Sequence, residues 1–185
     1  MDFSVSHYGW GQVPPFPVVT GSIDAENERI FIKFDVRESE LRAVNSLHNS
    51  PVCEDSCVEF FCLPFIDDLR YINIEINPLG TVYFAVRTGR DDNVFATPAQ
   101  TKALGILATI DRSEDAVHWT VNFSLSFDLI SELYGREFAE PVTALRCNFY
   151  KCGDMHKKPH WGSWNPVETE RPDFHRPEFF AEVQL

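Results

Sequence analysis

The sequence predicts an all-β fold: two antiparallel sheets packed as a sandwich, jelly-roll or immunoglobulin-like, with one or two short helices. Three observations predict it. Tyr71 to Asn77 alternates without a fault, with Ile72, Ile74 and Ile76 on one side and Tyr71, Asn73, Glu75 and Asn77 on the other. That is the two-residue period of a half-buried strand. Further runs of this kind recur along the chain, separated by Gly, Pro, Asn and Asp. Only Phe127 to Tyr134 carries full helix punctuation, with Ser126 as cap and Gly135 as stop. Many short strands with almost no helix make a sandwich.

Taken in order, residues 1–16 (Tyr8, Trp10, Pro14, Pro15, Phe16) read as an extended aromatic arm. Pro17 to Ile23 is a first strand, Asp24 to Arg29 a polar turn, and Ile30 to Val36 a strand with Ile30, Ile32, Phe34 and Val36 inward. A short helix is expected around Ser39 to Leu47. Asp55 to Cys62 then places Val58, Phe60 and Cys62 on one face and Cys57, Glu59 and Phe61 on the other. Asn77-Pro78-Leu79-Gly80 suits a type I turn with a glycine bulge, because Pro presets φ and Gly accepts positive φ. The return strand, Thr81 to Arg87, turns Val82, Phe84 and Val86 inward and sets Tyr71 opposite Arg87 and Glu75 opposite Tyr83. An irregular stretch runs to Lys102. Ile106 to Ile110 and Val117 to Phe123 form a hairpin across Asp111 to Asp115. Thr143 to Tyr150 is a strand, Lys151 to Pro177 a long loop, and Phe179 to Leu185 a terminal strand. Residues 1–185 read as one domain.

Sixteen basic against 28 acidic residues give a net charge of −12, which argues against nucleic acid and anionic membrane as partners. No run of about 18 apolar residues suits a membrane-spanning helix, and the first residues carry no signal core. As given, the chain is expected in the cytoplasm, or as a trimmed secreted protein. Five cysteines, an odd count, speak against a disulfide framework and for a reducing compartment. Cys62 and Cys147 share parity with core residues.

The polar face of the central meander carries Glu59, Asn73, Glu75 and Asn77 beside Tyr71, Tyr83 and Arg87. Bidentate hydrogen-bonding groups and aromatic rings are the chemistry for gripping a neutral polar ligand. An ordinary solvated sheet face is the plainer reading of the same residues. Arg87 and Arg90 each offer a fork of donors, or an ion pair with Glu59 or Glu75.

Several motifs together resemble carbohydrate-binding module family 9, and within it the stand-alone "family 9-like" proteins. They are Asp55-Ser56-Cys57-Val58-Glu59-Phe60-Phe61, the Tyr71–Asn77 strand with its Asn-Pro-Leu-Gly turn, and Asn148-Phe149-Tyr150-Lys151. Trp161-Gly162-Ser163-Trp164-Asn165-Pro166 and Phe174-His175-Arg176-Pro177-Glu178-Phe179-Phe180 follow in the family's order. The resemblance implies a β-sandwich that binds sugar on a concave face or rim and serves carbohydrate catabolism. In enzyme-attached members two tryptophans clamp a pyranose, polar residues bind its hydroxyls, and calcium is structural. Such modules hold a catalytic domain on its polysaccharide.

Carbohydrate is therefore the expected partner, with no required cofactor and a structural calcium by resemblance. The expected ligand-binding residues are Trp164, Trp161, Asn148, Arg87, Arg90, Glu75, Asn77, Tyr71 and Glu59, with Trp164 leading. A pyranose has an apolar C–H face that stacks on a flat ring. The segment leading into Asp55 holds no second tryptophan jaw, so either Tyr71, Tyr83 or Phe61 substitutes for it or the clamp is absent. Trp119 alternates with core residues and is structural. Glu59 and Glu75 as neighbours also raise glycoside hydrolysis as an alternative, since glycosidases work with two carboxylates. A protein-interaction sandwich is the third class. Cys147, Cys152, His156 and His160 imitate a zinc spacing. Asp67, Asp68, Asp91, Asp92 and Asn93 are oxygen donors for calcium without a recognisable loop pattern. Arg146, Lys151, Lys157 and Lys158 read as a basic island that would favour an acidic sugar.

Overall fold

The computed structural model describes residues 1–114, 116–139 and 141–185. The chain forms two antiparallel sheets. The first has the order β1-β3-β4-β10-β9, from β1 (Asp2–Val5), β3 (Val18–Glu26), β4 (Arg29–Glu38), β10 (Val117–Ser126) and β9 (Leu107–Arg112). The second runs β2-β12-β11-β5-β6-β7-β8. Its strands are β2 (His7–Tyr8), β12 (His160–Ser163), β11 (Ala144–Gly153), β5 (Cys57–Leu63), β6 (Tyr71–Ile76), β7 (Val82–Arg87) and β8 (Val94–Phe95). A last strand, β13 (Ala181–Gln184), pairs with the first half of β11, and β12 pairs with its second half.

Alternating apolar side chains fill the space between the sheets. Ile32, Phe34, Val36, Trp119 and Val121 from one sheet meet Phe60, Ile72, Ile74, Phe84 and Phe149 from the other. Phe3 on the N-terminal arm stacks on Phe149 with ring centres 3.7 Å apart. The meander register is as expected, with Tyr71 opposite Arg87 and Glu75 opposite Tyr83. Gly80, at φ +76°, closes the turn, while Asn77 Oδ1 accepts from the N–H groups of Leu79 and Thr81. Ile74 is fully buried. Ile74→Ala is expected to cost about 2–5 kcal/mol through lost burial and a cavity. A urea-denaturation difference under about 1 kcal/mol would contradict its place between the sheets.

Helix α2 (Phe127–Tyr134) has its Ser126 cap and left-handed Gly135, as expected. Other elements differ from expectation. The first hairpin turn is only Asn27-Glu28, both at positive φ, so β3 and β4 run longer than the polar composition suggested. Residues 39–47 form no helix. The N–H groups of Val44 and Asn45 donate instead to buried Asp55, so tertiary hydrogen bonds override a helix-like pattern. The irregular stretch contains α1 (Pro98–Ala103), capped by a reciprocal Thr97–Gln100 box. The expected long loop contains β12, so Trp161 stands on a strand. Of the expected 111–115 turn, Asp115 lies outside the described residues.

Candidate sugar-binding site

The outer face of the second sheet is a second core, neither solvated nor openly displayed. Cys57, Phe61, Tyr71, Tyr150 and Cys152 point outward and are covered by Val52, Phe174 and Phe180. Phe174 stacks on Tyr150 at 4.2 Å, and His175 lies over Phe61 at 5.2 Å. A β-face that polar residues seemed to expose is thus roofed by the C-terminal segment. At one place the roof is open. There a cavity of about 310 Å³ is lined by Glu59, Glu75, Arg90, Cys53, Cys152, Asp154, Trp161, Asp173, Phe174 and His175.

The floor follows from strand register. Glu59 on β5 lies directly across from Glu75 on β6, both on the outward parity, and both are buried. Burial and the neighbouring Glu75 push Glu59 well above the usual carboxylate range. Burial raises Glu75 to about 7, against the pull of the Asn73 amide and the Arg87 charge. Two adjacent buried carboxyls do not both ionise cheaply, so the pair retains a proton near neutrality. The floor therefore both donates and accepts.

One wall is Trp161, half-buried, whose Nε1 donates to Asp154 Oδ1 at 2.7 Å. Burial raises the Asp154 carboxyl too. Gln12 on the arm clamps the Trp161 backbone in both directions, accepting from its N–H and donating to its carbonyl. Trp10, at φ +57°, donates to the Thr169 carbonyl and lies against Phe174 from behind. Another wall is Arg90, whose guanidinium donates to Asp173 at 3.0 Å and to the Pro172 carbonyl. His175 bonds through Nδ1 to the Tyr71 hydroxyl at 2.9 Å. Burial, with Arg87 and Arg90 nearby, lowers it to about 3, so it is neutral.

Four of the nine expected site residues, Trp161, Glu59, Glu75 and Arg90, line this cavity. Tyr71 and Arg87 stand behind it. Tyr71 positions His175, and Arg87 donates to the Arg90 carbonyl and to the Tyr83 hydroxyl. Neither arginine pairs with Glu59 or Glu75; the nearer partners are Asp173 and Tyr83. Three residues lie elsewhere. Trp164 packs edge-on against Phe149 at 5.5 Å, on the inter-sheet side. Asn148 spends its amide on Asn165 and Phe179 and accepts from Phe149 and Asn165, which pins the C-terminal segment. Asn77 holds the β6–β7 turn and donates to Asp55 at 2.9 Å and to the Asn45 carbonyl. The hydrogen-bonding capacity of both amides is used internally.

Sequence reasoning missed Asp154, Asp173 and Cys152 as cavity residues. Extending the Thr143–Tyr150 strand by three residues would have put Cys152 on the outward parity of Tyr150. The basic island does not form. Lys151 is fully buried beside Glu38, with its ammonium 3.0 Å from His160 Nε2. The imitated zinc set also does not assemble, because Cys147 and Cys152 lie on opposite faces of β11. The expected calcium donors are engaged: Asp67 with Arg136, Asp68 with Arg70, and Asp92 with Thr88 and Gly89. These residues do not form an oxygen cage of the kind a hard cation needs.

The profile of carbohydrate-binding family 9 matches residues 2–185. The chain belongs to carbohydrate-binding family 9. Among solved structures, this module is similar to a candidate carbohydrate-binding protein from Bacteroides uniformis ATCC 8492. That pair shares 27% identity at a TM-score of 0.85, covering 100% of this chain and 85% of the other. It is also similar to a family 9 module from Caldicellulosiruptor kristjanssonii, seen in complex with cellotriose (9% identity, TM-score 0.62, 100% and 81% coverage). A complex of such a module from the same organism with glucose gives 9%, 0.58, and 96% and 83%. At that identity the likeness is one of fold. No curated protein matches the module. Non-catalytic carbohydrate binding is the function that the family carries.

Proposed function

We propose that residues 1–185 act as one module that holds the end of a neutral glycan in the cavity between Trp161 and Arg90. The carrying observation is the meeting of a half-buried indole with buried, convergent hydrogen-bonding groups in a space of about 310 Å³. That volume is at the lower end for small-molecule sites and suits one or two sugar rings. The C–H face of a pyranose stacks on Trp161. Its hydroxyls reach the Glu59–Glu75 pair, which both accepts and donates, with Asp154 as acceptor and Arg90 as donor. Four carboxyl groups against one guanidinium line the space, so a uronic acid meets repulsion and a neutral ring does not. The cellotriose and glucose of the C. kristjanssonii structures make neutral gluco-oligosaccharides the first ligands to try.

A glycan array followed by calorimetry tests this reading. Neutral oligosaccharides are expected to bind and uronate-containing ones to fail. Glu75→Gln is expected to weaken binding roughly tenfold, the scale of one hydrogen bond to a charged group. A uronate-selective array would overturn the assignment. So would steady release of reducing sugar by the wild type that Glu75→Gln abolishes, which would favour a glycosidase.

A further inference from the structure

Two thiols that the sugar reading does not use meet at the cavity floor, Cys152 lining it and Cys57 buried next to Cys152 behind it. Cys57 on β5 and Cys152 on β11 are direct cross-strand partners, and Glu59 lies two residues along β5 on the same face. Register alone therefore converges two sulfurs and a carboxylate. Cys57 Sγ, Cys152 Sγ and a Glu59 oxygen all lie within 4.8 Å of one another, and all three residues are buried. Cys152 Sγ is 2.8 Å from Glu59 Oε1. Cys152 and Glu59 both line the cavity, which gives a path from solvent. The cysteines are free thiols.

We propose that Cys57, Cys152 and Glu59 form a zinc site, with the fourth coordination position open to the cavity. Two sulfurs and one carboxylate are a donor set for zinc, at about 2.3 Å to sulfur and 2.0–2.2 Å to oxygen. Sulfurs within 4.8 Å of each other reach one ion with small side-chain shifts. Calcium and magnesium, which take oxygen ligands, are excluded by the thiols. Binding replaces the two thiol protons, and any proton on the Glu59 carboxyl passes to Glu75 or leaves with them to solvent, and no electron moves. Cys62 and Cys147, the other facing cysteine pair in this ladder, lie between the sheets and make no such three-ligand group among the described residues. They are the internal control. The site does not depend on the sugar reading, and its test contains no sugar.

The test titrates the whole chain, stripped with chelator and kept in a non-thiol reductant, with Co²⁺ and then Zn²⁺. One equivalent of Co²⁺ is expected to give tetrahedral visible bands with thiolate-to-cobalt charge transfer, bleached by Zn²⁺. Cys57→Ala and Cys152→Ala are expected to lose the spectrum and weaken zinc binding on the order of 100-fold or more, beyond the loss of a supporting group. Cys147→Ala is expected to keep it. The wild-type titration decides by itself if a site variant does not fold: no tetrahedral spectrum at equimolar cobalt overturns the proposal. A spectrum that survives Cys57→Ala but disappears in His160→Gln overturns it as well, placing the metal at the His156–His160 pair.

Discussion

Trp161→Ala is expected to remove most of the sugar affinity, on the order of 100-fold, while Trp164→Ala leaves affinity intact and lowers the melting temperature. The two tryptophans are three residues apart, yet they lie on opposite sides of one sheet. Trp161 pairs across from Cys152 and faces the cavity. Trp164 follows the end of β12 and, itself half-buried, turns its ring edge-on to Phe149 at the margin of the core between the sheets. Truncating a ring packed in that core costs about 3 kcal/mol, or roughly 6–12 °C for a chain of this size. Trp161→Phe keeps a flat ring and is expected to retain part of the affinity. Calorimetric titration and thermal melts of the three variants, run together, check both halves. Loss of binding in Trp164→Ala with binding retained in Trp161→Ala would move the sugar to another surface.

Asp55→Ala is expected to be the most destabilising single change, at about 3–5 kcal/mol. The carboxylate is fully buried and filled by donors. Arg42 reaches Oδ1 at 2.5 Å, while the N–H groups of Val44 and Asn45 and the Asn77 amide reach Oδ2. Truncation leaves these donors without an acceptor and releases the 39–47 segment from the end of β5. Burial alone would raise the Asp55 pKa; hydrogen bonds from Asn45, Asn77 and Val44 and the charge of Arg42 outweigh it and lower the value. The contribution is therefore present above the ordinary aspartate range and lost as pH falls through the lowered folded value. Urea denaturation at neutral pH measures it. A loss under about 1 kcal/mol would mean that the segment does not depend on Asp55.

Strand parity, turns and caps were legible because they are local. The isoleucines of β6, the Asn77–Gly80 turn and the Ser126–Gly135 helix follow from chain periodicity and backbone preference. The pairing of Glu59 with Glu75 also follows, once the turn sets the register. Family membership was legible in motif order. What only the tertiary structure decided was which polar side chains remain available. Asn77 and Asn148 have the right chemistry for a sugar, but backbone groups far away in sequence consume it. Trp164 has the right ring, but it stands three residues after Trp161, an odd step in extended chain that turns it to the inner face beside Phe149. The cavity walls come from the arm, the residues after β11 and the C-terminal segment, brought together over β5 and β6. Alternation in a strand specifies which face a residue takes, and the long-range packing of the rest of the chain decides whether that face is open, roofed or already bonded.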